Sequence, residues 1–123
     1  MLMVGLLGLL ATSSNAQESK LAQAQPMLVV LRASRDGDVK LFKSAFSKAV
    51  LEEAKTEKRD WKELSKSTYA ALKKEFVAYK LADFTFYFAG NDQGGDLTVF
   101  FKGKPSEKIQ VVHEANGWKL NEH

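Results

Sequence analysis

Near Asp83 the hydrophobic pattern of this 123-residue chain changes period. Before it, apolar residues recur every three or four positions, the spacing that collects them on one face of a helix. After it they alternate, which collects them on one face of a strand. A chain that is helical first and strand-forming afterwards must bury a helical stripe against a sheet face. The expected class is therefore α+β, with N-terminal helices on an antiparallel meander of about four strands.

Pro26 suits the first turn of a helix, where its missing N–H is not needed. Leu28, Leu31 and Arg35 then fall near one face, with Met27 and Val30 beside them. The β-branched Val29-Val30 pair keeps a strand open as the alternative here. Gly37 fits a helix C-terminus that needs positive φ, and Asp38 can cap the next helix. That second helix carries Val39, Phe42, Phe46, Ala49, Val50 and Glu53 at helical spacing, read as one continuous element. Asp60-Trp-Lys-Glu63 reads as a capping box opening a third helix that runs to about Lys80. Its inner stripe is Trp61, Leu64, Thr68, Leu72, Phe76 and Tyr79.

In the second half, Phe84, Phe86 and Phe88 share one face of the first strand, and Thr85 and Tyr87 the other. Gly90 to Asp96 reads as a loop, Leu97 to Phe101 as the second strand, and Gly103 to Ser106 as the next turn. Glu107 to His113 forms the third strand, with Ile109, Val111 and His113 on one side. Asn116-Gly117 is the two-residue hairpin signal of a type I′ turn, and Trp118 and Leu120 close the meander pointing inward.

Charge divides the chain differently. Residues 1–17 carry no charged side chain, and Leu2 to Ala11 is an apolar run. Ser14-Asn-Ala16 places small residues before Gln17, the layout of a signal-peptidase site, although no basic residue precedes the run. Ten apolar residues are too few to span a bilayer, which takes about 20. The expectation is a signal peptide over 1–16, a polar lead-in over 17–25, a single domain over 26–122, and export to the periplasm or beyond. The alternative is a buried N-terminal helix. With no cysteine, the chain has no disulfide, thiolate metal site or lipid-anchoring cysteine, so no membrane anchor is expected after cleavage.

The net charge of +3 combines eleven basic and six acidic residues over 40–80 with four basic and six acidic residues over 81–123. Glutamates 52, 53, 57, 63 and 75 are interspersed among the helical lysines, as on an ordinary solvated face, so no nucleic-acid partner is expected.

Arg35-Asp-Gly-Asp-Val-Lys-Leu41 after the opening helix, the Trp-led long helix, and the terminal Gly117-Trp-Lys-Leu120 resemble the nuclear transport factor 2-like superfamily. More narrowly, they are similar to its small exported bacterial domains of unknown function, over about Pro26 to Glu122. The resemblance implies a cone, with a strongly curved antiparallel sheet folded over helices and a pocket between the two layers. That superfamily hosts enzymes, ligand carriers and interaction domains alike, so the fold selects no function.

Eight of the thirteen aromatics lie between Phe76 and Phe101. Most of them are needed for the core, and any remainder would line an apolar pocket at the wide end of the cone. The candidate lining is Trp61, Phe84, Phe86, Phe88 and His113. The expected function is binding of a small apolar molecule or a protein, without catalysis, cofactor or metal. The alternative is a dehydratase- or isomerase-type pocket enzyme using His113 as general base, against which stands a histidine merely at the sheet rim. Tyr87, Phe100 and Val112 form a candidate homodimer patch on the outer sheet face. Asn91, Asp92 and Asp96 lack the spacing and closing glutamate of a calcium loop, and Gly94-Gly95 lacks the Lys-Ser/Thr of a phosphate loop.

Mass spectrometry of exported material is expected to give a chain beginning near Gln17. An intact Met1 would overturn the signal-peptide reading.

Overall fold

In the computed structural model, which describes residues 17–122, Pro26 stands in the first turn of helix α1 (Gln25–Asp36). The expected signal segment over 1–16 lies outside the described residues. Gly37 ends α1 at φ 72°, and the Asp38 N–H reaches back to the Ala33 carbonyl at 2.9 Å. This is the hydrogen-bond pattern of a glycine-terminated helix. A strand through Val29-Val30 is thereby excluded. Burial explains the branched pair: Met27, Leu28, Val30, Leu31, Ala33 and Ser34 are all buried, so α1 is enclosed on most of its circumference.

The Asp38 carboxylate accepts from the Leu41 N–H at 3.0 Å and starts α2 (Val39–Ser44). Here the expectation of one continuous second helix fails. The chain breaks over Ala45, Phe46 and Ser47, and α3 (Lys48–Thr56) is a separate helix capped by the Ser47 hydroxyl, which accepts from the Val50 N–H at 3.2 Å. The cause is non-local. The Ser47 N–H bonds to the Leu120 carbonyl and the Leu120 N–H to the Ala45 carbonyl, both at 2.8 Å, making a short parallel bridge between Phe46 and Leu120.

Helix α4 (Trp61–Glu75) is capped by the Asp60 carboxylate, which accepts from the Lys62 and Glu63 N–H groups. It ends five residues before the expected Lys80. Phe76 leaves the helix at φ −120°, and Ala78 takes φ 53°. That reversal sends Tyr79 back into the core, where its hydroxyl donates to the Leu31 carbonyl at 2.7 Å. Burial pushes the Tyr79 phenol above its ordinary 10.0.

After a 3₁₀ turn (Leu81–Asp83) come β1 (Phe84–Gly90), β2 (Gly94–Phe101), β3 (Lys104–Glu114) and β4 (Gly117–Leu120). They form one antiparallel sheet in the order β1-β2-β3-β4. The fold is thus α+β, with helices preceding a four-stranded antiparallel meander.

Three turns differ from their sequence reading. The first loop is only Asn91 to Gln93, because Gly90 pairs with Gly95. A Cβ at either glycine would meet backbone atoms within 2.7 Å and the Phe88 ring within 2.9 Å, so these glycines make room for each other and for that ring. The second turn is Lys102-Gly103, at φ 51° and 83°, rather than Gly103 to Ser106. The third is Ala115-Asn116, neither at positive φ, with Gly117 following at φ 121°. The glycine is required, one position later than a type I′ turn would place it.

The inner sheet face presents Phe84, Leu97, Val99, Ile109, Val111 and Leu120, all buried, and α1 packs against it at β4. Helices α2 and α4 cover the other side of α1. Among the described residues no helix is long and apolar enough to cross a membrane.

The Ser47 hydroxyl also donates to Asn121 Oδ1 at 2.5 Å while its residue is wholly buried. Ser47→Ala is expected to lower unfolding free energy by about 1–3 kcal/mol, from the lost cap and the stranded amide oxygen. Urea denaturation followed by circular dichroism measures this.

Candidate functional site

The break between α2 and α3 leaves Phe46 half-buried beside Trp61, the first residue of α4. With the fully packed Phe42 these two rings form a cluster whose members are mutually inclined. Centroids are 5.2 Å apart for Phe42 and Phe46, 6.1 Å for Phe42 and Trp61, and 5.4 Å for Phe46 and Trp61. The three rings bound a cavity of about 230 Å³ that continues along Val50 and Ala54 of α3 and Leu64 and Thr68 of α4. Its mouth is charged, formed by Glu53, Glu57, Arg59 and Glu122. The Arg59 guanidinium lies 3.4 Å from the Glu57 carboxylate.

Glu122 reaches the mouth because its neighbour is anchored. The Asn121 N–H donates to the Gln110 carbonyl at 2.9 Å, and the Asn121 amide bonds to Gln110 and Ser47 side chains. The end of β4 is therefore held to both β3 and α3.

Of the five residues expected to line one pocket, only Trp61 borders this cavity. Phe84 is wholly buried against Phe76, Tyr79 and Phe101, with centroids 5.1 to 5.8 Å away. Phe86 is half-buried on the same core. Phe88 lies over the Gly90–Gly95 pair and meets Trp118 edge-on at 5.4 Å. His113 is exposed and stacks on Trp118 at 4.7 Å with the rings 8° from parallel. Its Nδ1 lies 3.1 Å from the Asp92 carbonyl oxygen, and its N–H donates to the Gln93 carbonyl at 2.9 Å. Alternation places His113 on the inner side of β3, where the short strand β4 brings Trp118 alongside and the two rings stack at the exposed end of the sheet.

Phe42, Phe46 and the charged mouth were missed as site residues. Phe42 and Phe46 read as the stripe of one helix, and no local signal marks the break that turns Phe46 toward Trp61.

On the opposite sheet face, Tyr87 is 63% exposed, while Phe100 and Val112 are half-buried. Among the described residues no group of three or more His, Asp or Glu side chains is placed to hold a metal ion. Comparison of the chain with models of known families, with curated proteins and with solved structures finds no match.

Glu107 of β3 carries the clearest electrostatic signature at this end of the sheet. Partial desolvation of its carboxyl, in a residue that stays exposed overall, and then the nearby Glu75 and Glu122 carboxylates push its pKa above the ordinary 4.5. A carboxyl raised in the folded state favours folding while protonated, and that contribution is lost as pH rises through the folded value. Glu107→Gln is accordingly expected to leave the melting temperature unchanged at pH 3 and to raise it at pH 7. Thermal melts of both proteins at the two pH values check the sign.

Proposed function

We propose that this chain is an exported, non-catalytic binding domain that takes a small apolar-bodied molecule between Phe42, Phe46 and Trp61. The scaffold reading that accompanies it is a nuclear transport factor 2-like cone, supported by helices preceding a simple antiparallel meander. One observation carries the binding proposal. Three mutually inclined aromatic rings, Phe42, Phe46 and Trp61, border one open cavity together with the apolar Val50, Ala54 and Leu64. Apolar walls with a few polar groups at the mouth are the general form of small-molecule sites. At about 230 Å³ the space suits a compact ligand, below the roughly 300–1,000 Å³ that holds drug-sized ones.

The alternative of a pocket enzyme using His113 draws less support. An exposed imidazole stacked on an indole, with a backbone carbonyl at Nδ1, lacks the carboxylate partner that would orient a general base. For partnership with a second copy, the 63% exposure of Tyr87, midway along the edge strand β1, is the favouring observation.

Native mass spectrometry of protein purified from its host is expected to show a small-molecule adduct that Trp61→Ala loses. Ligand-free protein alone would overturn the carrier reading. Dimers lost in Tyr87→Lys would support the outer-face contact, and monomer alone would overturn it.

A further inference from the structure

Trp61 separates two depressions of opposite charge. On one side lie Lys43, Lys55 and Lys58 with the one carboxylate Glu52, and the Lys43 ammonium is 5.9 Å from the indole centroid. On the other side is the aromatic cavity, whose mouth carries Glu57 and Glu122 beside Arg59, a residue that borders both depressions. Arg59 is engaged by Glu57 at 3.4 Å. An anionic ligand entering the cavity would meet the Glu57 and Glu122 carboxylates. A neutral one would gain nothing from them.

A positively charged ligand gains twice. Aromatic faces attract cations through their quadrupole, most strongly when the cation is partly desolvated, and the half-buried Phe46 and Trp61 both border the cavity. The exposed carboxylates at the mouth add Coulomb attraction that is strongest at low salt. The negative field extends past the mouth, since Glu122 also acts on Glu107 of β3, together with Glu75.

We propose that the cavity bounded by Phe42, Phe46 and Trp61 binds a small organic ammonium ion with apolar substituents, its charge directed to the Glu57 and Glu122 side of the mouth. This rests on the cavity being a ligand site and adds the charge class of the ligand. The basic depression beyond Trp61 contributes by excluding such a cation from the wrong side of the ring.

Three probes of matched shape test it: choline, its neutral carbon analogue 3,3-dimethylbutan-1-ol, and 3,3-dimethylbutanoate. Each is titrated into the folded protein and followed through the Trp61 indole N–H resonance. The expected order is ammonium, then alcohol, then carboxylate, with choline about tenfold tighter than the alcohol. Glu122→Gln and Glu57→Gln are each expected to weaken choline severalfold and to leave the alcohol unchanged. Alcohol binding as tightly as choline would overturn the charge assignment and leave the cavity as a neutral ligand site. Failure of all three probes at millimolar concentration would overturn both.

Discussion

The short parallel bridge between Phe46 and Leu120 joins the helical half of the fold to the end of its last strand. Two backbone hydrogen bonds of 2.8 Å, from Ser47 to Leu120 and from Leu120 to Ala45, interrupt what would otherwise be one amphipathic helix. Breaking a helix there exposes backbone groups that must find partners elsewhere. The last strand supplies them, and the Ser47 hydroxyl restarts the helix on the far side. The sheet closes on the helices because residues 45–47 and 120 satisfy each other.

The cavity is a consequence of that same interruption. In an unbroken helix, Phe42 and Phe46 would stand one turn apart on a single buried stripe. With α3 starting anew at Lys48, Phe42 stays in the core, whereas Phe46 is left half-buried against Trp61. The anchoring of Asn121 to Ser47 and Gln110 carries Glu122 to the same place. One backbone contact thus positions an aromatic wall and part of the charged mouth.

At the other end of the sheet, Phe88, Trp118 and His113 stack into a closed cap over the Gly90–Gly95 pair. A cavity bordered by Trp61 and a filled opposite end are two outcomes for aromatics that alternation alone treats alike. The difference lies in the neighbours. Glycines opposite each other admit a ring, and a short partner strand brings an indole next to an imidazole.

Much of the architecture was legible locally. The change of period at Asp83 separated helices from strands, Gly37 and Asp38 marked the first boundary, and Asp60 marked the start of α4. These signals are strong because capping, positive φ and face alternation act within a few residues. The turn bounds differ from the sequence reading by one to three positions, since a glycine or asparagine marks a bend without fixing which residue takes positive φ. The site was legible only in Trp61. By itself the sequence determined the class of fold, the three-phenylalanine face of β1 and the identity of most core residues, because burial of an apolar face follows its period. Tertiary structure decided where the second helix breaks, which aromatics stay open, and which charges ring them. The helix break and the placing of Glu122 depend on hydrogen bonds between segments more than seventy residues apart, as between Ser47 and Asn121 at a separation of 74. The aromatic groupings depend on contacts between different elements, such as Phe46 with Trp61 and Phe88 with Trp118.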